Sequence, residues 1–498
     1  MPLKDAINAL KRKDFAEARK LIAREDAATY GIQHYLILGL AEMSLQEWQA
    51  ALEAFTAATK RFPNHAPFWF NRGIVEENLK LIDAAIASHE RCLALAPDQA
   101  EACGNLSNLY RNKRRYADAE NMARRAMEKG ADKGEALNCL GLALAKQGKF
   151  DEARDAFLQA HEAAPDNPAF LSNHANLEIE VFHFDQAWKL FTAARAIEDR
   201  PVFRYDEGLA RLLSGDFKLG FKLLESRLLM PNALRLIPSY PRWKGERLKG
   251  KKLLIIAEQG FGDVLQFCRY QKFLPDVDLV WAVPKNLVRL LSGSLRGDVV
   301  DEKSLLPRCD AYVPILSLAH ETKDVFLPAM EPYLRAPMAP ALPAGTHKLK
   351  IGLVWAGSRT HARDNERSIP LRLLEPILNS VNADFYAPFV GDGLEEIGKY
   401  PVTRLDDLIS DFADTAALLK QMDCLVTVDT AVAHLAGALG LKTYLLLPRC
   451  PDWRWGILGK TTPLYPSMTL VRQKTYGDWT GVIEKLLPIL KINLARWD

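Results

Sequence analysis

A helical-repeat solenoid followed by an α/β half with two doubly wound lobes is the fold class this sequence predicts, on three observations. Small residues recur at a fixed interval through roughly the first 230 positions, as stacked helix pairs require. Beyond a Pro- and Lys-rich junction, "PSYPRWKGERLKGKK" at 238–252, short apolar runs alternate with stretches of helical spacing. A Pro-rich passage, "EPYLRAPMAPALPAG" at 331–345, divides that second half in two. The expected domains are therefore residues 1–230, 231–345 and 346–498.

The repeat is carried by Ala51, Ala85, Ala119, Ala153 and Ala187, each 34 residues after the last (85 − 51, 119 − 85 and so on). Gly39, Gly73 and Gly141 lie twelve residues before their alanines, with Ser107 and Ala175 at the same place in the other two units. Phe55, Phe157 and Phe191 lie four residues after. Small residues facing each other let two antiparallel helices approach closely, and an aromatic one turn on fills the space beside them. Pro63, Pro97 and Pro165 close three units, since proline has no N–H to continue a helix. "DFAEARKLI" around Ala18 reads as half of a degraded first unit, and 208–227 as a final pair with Gly220 at the alanine position. This pattern resembles the tetratricopeptide repeat. Such arrays present a concave groove, which serves as a spacer or as a protein-binding surface. Asn71, Asn105, Asn108, Asn138 and Asn173 are the candidate groove residues, because an amide can both donate to and accept from a peptide backbone; solvated surface is the alternative.

In the second half, "KLLIIA", "DVDLVWAV", "AYVPI", "KIGLVWAG", "ADFYAPFV", "CLVTV" and "KTYLLLP" read as strands and the intervening apolar-periodic segments as helices. That alternation argues for parallel sheets with helical crossovers. Ligands in such folds bind beyond the carboxyl ends of the strands, so five loops are candidates: "AEQGFGD", "WAGSRTHARDNERS", "FVGDG", "VDTAVAH" and "LPRCPDWRW".

Gly260 and Gly262 suit a tight turn, and Asp263 then begins a helix, either as its N-cap or as a cleft carboxylate; the motif alone favours the cap. Without G-x-G-x-x-G there is no dinucleotide fingerprint. Arg363 and Arg367 lie in a charged loop that is either solvated or clamps phosphate. In "VDTAVAHLAGALG", Asp429 or Thr430 caps a helix that stops at Gly440, and the small Ala431 leaves the helix start open to an anion. His434 is a core histidine, the commoner outcome for a lone His, or a donor to that anion.

The totals describe a globular protein: 498 residues, 48% apolar, 26% charged, with a formal charge of +3 that argues neither for nor against nucleic acid. The seven cysteines are scattered without a C-x-x-C pair, which suits free thiols in a reducing cytosol. No apolar run reaches the ~20 residues of a bilayer span, and the first residues lack a signal-peptide core. A cytoplasmic location without membrane insertion is expected.

The loops taken together resemble a known family. "GFGDVLQF" is similar to the G-D-x-x-[HQ] turn of the heptosyltransferases (glycosyltransferase family 9), and "VDTAVAHLAGALG" to their D-[TS]-[GA]-x-x-H-L-A-A-A-L segment. "LVWAGS…RSIPL", "DFADTAALLKQMD" and "PDWRW" are similar to segments of bacterial proteins that fuse tetratricopeptide repeats to such a domain, some of which glycosylate flagellin. The layout also resembles the O-GlcNAc transferases. The resemblance implies a GT-B fold and a metal-independent, inverting glycosyltransferase without a cofactor, using a nucleotide-sugar donor. It implies Asp263 as catalytic base, Thr430, Ala431 and the helix start on the diphosphate, Asp429 on sugar hydroxyls, His434 in support, and Arg367, or else Arg363, on phosphate. Fewer than a hundred residues separate Lys251 from the Pro-rich passage, so the first lobe is expected to be abbreviated. The repeats favour a protein acceptor over a glycan. A non-catalytic scaffold and a glycan-acceptor transferase are the alternatives.

Overall fold

The 34-residue period is a series of helical hairpins. In the computed structural model, which describes residues 2–231, 233–322, 331–338, 341–346 and 349–494, the chain divides into two compact units, Met1–Glu198 and Asp199–Asp498.

The first unit pairs α1 (Pro2–Lys11) with α2 (Phe15–Ile22), α3 (Ile32–Ser44) with α4 (Trp48–Arg61), α5 (Ala66–Asn78) with α6 (Ile82–Leu95) and α7 (Ala100–Asn112) with α8 (Tyr116–Glu128). Two more pairs follow, α9 (Lys133–Ala145) with α10 (Phe150–Ala163) and α11 (Pro168–Glu180) with α12 (Phe184–Ile197). All five period alanines are fully buried. The glycine–aromatic pairing is as the spacing predicts: a Cβ on Gly39 would stand 2.3 Å from the Phe55 ring, and one on Gly141 2.8 Å from Phe157. In the second full repeat His89 takes the aromatic's place against Gly73. Gly39→Ala should therefore cost about 1–3 kcal/mol through overpacking, read as a lowered denaturation midpoint of the first unit. The turn inside each hairpin also keeps the period, at Gln46, Lys80, Arg114, Gly148 and Phe182, all with positive φ. Residue type varies there, so only the backbone shows that regularity.

The second unit opens with one more hairpin, α13 (Pro201–Ser214) and α14 (Phe217–Leu224). Gly208 and Gly220 meet across it as the repeat pattern predicts. The expected boundary at 230 is nevertheless corrected to 198, because this hairpin packs on the α/β half. Phe221 meets the rings of Phe267 and Trp453 at 6.3 and 5.6 Å. Arg227, just after α14, is buried in a bidentate pair with Glu258 at 2.7 and 2.8 Å. It also donates to Glu225 and to Ser317 Oγ.

Two parallel sheets follow. The first contains β1 (Lys252–Ile256), β2 (Asp278–Val283), β3 (Asp298–Asp301) and β4 (Ala311–Pro314) in the order β3-β2-β1-β4. Its helices are α15 (Phe261–Phe267), α16 (Lys285–Ser292) and α17 (Leu318–Glu321). The second contains β5 (Lys350–Val354), β6 (Asp384–Ala387), β7 (Val402–Arg404), β8 (Cys424–Val428), β9 (Thr443–Leu447) and β10 (Met468–Arg472). Its helices are α18 (Asp364–Arg367), α19 (Glu375–Ser380), α20 (Phe412–Leu419), α21 (Ala431–Ala438) and α22 (Trp479–Leu494). The order β10-β9-β8-β5-β6-β7 is the 3-2-1-4-5-6 arrangement of doubly wound sheets read from its far edge, with the order reversing between β5 and β8. The first sheet has the same start with two strands fewer, which is the abbreviation expected. β8 and β9 are buried along their whole length, as strands covered on both faces must be. Of the predicted linker, residues 339 and 340 lie outside the described residues. All seven cysteines are free and buried. Among the described residues no helix is long and apolar enough to cross a membrane.

Candidate active site

Loops from four strand ends, those of β1, β5, β8 and β9, converge on one cavity of about 480 Å³. The turn after β1 brings Gly260, Gly262 and Asp263; the loop after β5 brings Arg363 and Arg367; the turn after β8 brings Asp429, Thr430, Ala431 and His434. These are all of the residues the sequence reading places in the second half's site. The cavity lies at the strand-order reversal between β5 and β8, where doubly wound sheets leave a crevice.

Each turn has a local cause. Thr430 is the N-cap of α21, its hydroxyl accepting from Ala433 N–H at 3.4 Å, and Gly440 (φ +73°) ends that helix. On the facing loop the N-cap is Gly260 rather than Asp263; Asp263 stands at the third helical position and its Oδ2 accepts from Gly260 N–H at 2.9 Å. The left-handed residue of that turn is Gln259 (φ +58°), not a glycine. Gly262 is there for closeness: a Cβ on it would lie 2.9 Å from His434 Cδ2 and 3.6 Å from Ala431 Cα.

His434 is buried, stacked on Trp455 with ring centroids 5.1 Å apart, and its Nδ1 lies 2.9 Å from the Tyr465 hydroxyl. Burial and the nearby Arg454 guanidinium hold the ring well below the usual histidine range, so it is neutral at pH 7. Asp429 moves the other way, above the usual carboxylate range, through burial and its neighbour Asp452.

The two candidate arginines differ in commitment. Arg363 pairs with Glu366 at 2.6 Å and donates to Cys450 O at 2.8 Å. Arg367 donates to the backbone oxygen of Asp429 at 2.9 Å, with Asp364 Oδ1 3.7 Å from its Nε. That buried Nε has no hydrogen-bond partner among the described residues. Gly357 makes room for this guanidinium, since a Cβ there would stand 2.6 Å from its Nη2.

Sequence reasoning flagged "PDWRW" as a loop but missed its two charged residues in the cavity, Asp452 and Arg454. Arg454 donates to Asp452 Oδ1 at 2.8 Å and pairs with Asp263 from the opposite lobe. The available signal was its place after β9, the strand beside β8. A second cavity, of about 430 Å³, adjoins the first and shares Phe261, Gly357, Ser358, Thr430 and Ala431 with it. Phe389, Ile409 and Phe412 give it an apolar wall.

In the first unit, Asn71, Asn105 and Asn173 occupy one position of the repeat (105 − 71 = 34; 173 − 105 = 2 × 34), with Cys139 between them. Asn71 Nδ2 donates to Pro67 O of its own helix at 2.8 Å. Asn108 Oδ1 lies 3.5 Å from Arg111. Asn138 is nearly buried and accepts from Asn173 Nδ2 at 2.8 Å, so those two are brought together across neighbouring hairpins.

Known proteins give the following likenesses. The tetratricopeptide-repeat family profile matches residues 37–100 and 105–168, so the hairpins over those residues are of that type. The chain is similar to Protein FlbA of Caulobacter vibrioides, 24% identical over 532 aligned residues that cover 98% of this chain and 89% of that one. Among solved structures it is similar to a tetratricopeptide repeat protein from Parabacteroides merdae (16% identity, 46% of this chain and 92% of that one, TM-score 0.42). It is also similar to PilW, a widely conserved type IV pilus biogenesis factor (19% identity, 40% and 95%, TM-score 0.37).

Proposed function

We propose that the second unit is an inverting glycosyltransferase with a GT-B arrangement of its two lobes, taking a nucleotide sugar as donor. The acceptor in this reading is a hydroxyl of a protein, such as flagellin, that the repeats recruit, with the asparagine positions of the first unit along the groove. One observation carries the proposal: the nine residues chosen from three separate loops of the sequence line a single cavity.

The cavity's chemistry supports it. The start of α21 presents backbone N–H groups and the positive end of a helix dipole, which favour a phosphate. Arg367, with its buried Nε unbonded, is placed to add a charged donor. Both cavities fall within the range of about 300–1,000 Å³ usual for small-molecule sites, and the adjoining one, with its aromatic wall, suits the nucleoside. In the reaction the acceptor oxygen attacks the anomeric carbon from the face opposite the nucleotide. A new C–O bond forms, the bond from that carbon to the phosphate oxygen breaks, and its electron pair leaves with the nucleoside diphosphate. Asp263 takes the acceptor's proton. The helix start and Arg367 meet the charge growing on the leaving phosphate, so this reading requires no metal.

Gly357→Ala should weaken nucleotide binding about as much as Arg367→Ala, roughly 1.5–3 kcal/mol for a lost charged hydrogen bond, because its Cβ expels the guanidinium. Calorimetry with the bound nucleotide measures both. The proposal as a whole is tested by incubating the protein with UDP-, ADP-, GDP- and CMP-linked sugars and its co-purifying proteins, then weighing those proteins intact. A gain of one sugar mass is expected. No nucleotide binding and no mass gain with any donor would leave a repeat scaffold with an inert second unit. Transfer to purified glycan without protein would move the acceptor to carbohydrate.

A further inference from the structure

Arg454 stands where the acidic side chains of the two lobes meet. It comes from the turn after β9, its side chain is 11% exposed, and it lines the same cavity as Thr430, Ala431 and Arg367. Its guanidinium donates to Asp263 Oδ1, Asp452 Oδ1 and Gln266 Oε1, and lies over the Trp453 ring at 4.6 Å. Asp263 thus has one carboxylate oxygen on Arg454 and the other on Gly260 N–H. With both oxygens engaged in this way, the carboxylate has fewer lone pairs free to receive an incoming hydroxyl. A phosphoryl group at the start of α21 enters the cavity that this guanidinium lines, and the arginine fork suits phosphate as well as carboxylate.

We propose that Arg454 alternates between Asp263 and the donor phosphate, so that a seated donor draws the guanidinium away and releases Asp263 to accept the acceptor's proton. This rests on the nucleotide-sugar reading of the cavity. Its consequence is order: the proton acceptor becomes available only once there is a sugar to transfer. It also gives the leaving diphosphate a second arginine beside Arg367.

The test is a double-mutant cycle on the full chain with inorganic pyrophosphate as probe. If the two anions compete, Asp263→Asn, which keeps the hydrogen bond from Gly260 N–H, should tighten pyrophosphate binding by roughly threefold or more, the scale of coupling between neighbouring charges. The gain should vanish in an Arg454→Met background. Tightening of equal size in both backgrounds would mean a plain field effect, and no tightening would mean a structural pair; either overturns the alternation while the donor site stands. Failure of pyrophosphate to bind the unaltered protein would instead overturn the donor reading. Should Arg454→Met not fold, Trp453 provides the second readout. Pyrophosphate should change the tryptophan emission of the unaltered protein and not that of Trp453→Phe, and binding without such a change would overturn the proposal.

Discussion

Asp263→Asn should slow sugar transfer by about 10²–10⁴-fold, the usual contribution of a general base, while the protein still binds its nucleotide. The substitution is chosen for what it spares. An amide oxygen can still accept from Gly260 N–H at the start of α15, so the turn keeps its shape and only the charge is lost. Asp263→Ala removes both, and its helix start should also suffer. A steady-state comparison with each variant's nucleotide dissociation constant separates the cases. Equal losses of binding and turnover in Asp263→Asn would make the carboxylate a structural tie to Arg454 and not a base.

Arg227→Met should destabilise the second unit by about 3–5 kcal/mol, the cost of leaving one partner of a buried ion pair without the other. Glu258 is 1% exposed, and its Oε1 also accepts from Leu316 N–H at 3.0 Å. Without Arg227 its charge is left buried between the hairpin and the first sheet. The double variant Arg227→Met, Glu258→Met should recover much of the loss, since an apolar pair of similar volume carries no desolvation cost. Chemical denaturation followed in the full chain checks both. Glu258 immediately precedes the left-handed Gln259, so the same pair holds the loop that presents Asp263.

Much of this was legible in the sequence, and the gaps have physical causes. The strands read correctly, such as β1, β5, β8 and β9, are interior or fully buried, and a buried parallel strand must be a continuous apolar run. The strands that were missed, β3, β7 and β10, all lie at sheet edges. "DVVD" and "VTR" are short, charged and partly exposed, as edge strands tend to be, and so leave no apolar signature. The hairpin α13–α14 shows the opposite limit. Its spacing revealed the glycine contact, yet spacing cannot say which body a hairpin packs against, and that was settled by Phe221 and Arg227.

The site divides in the same way. Gly262 read as a turn glycine because nothing local shows that its hydrogen faces His434. His434 read first as a core residue, and it is buried; its stacking on Trp455 and its place in the cavity wall appear only when the loops meet. Arg454 escaped notice because its partner Asp263 is 191 residues away.

Binding of the free donor nucleotides is the measurement that tests the central claim most directly. Titrating the protein with UDP, ADP, GDP and CMP in turn should give one clear binder, whose affinity falls roughly ten- to a hundredfold in Arg367→Ala, as for a lost charged hydrogen bond. Binding by none of the four, or an affinity that Arg367→Ala leaves unchanged, would contradict the assignment of this cavity as a sugar-nucleotide site.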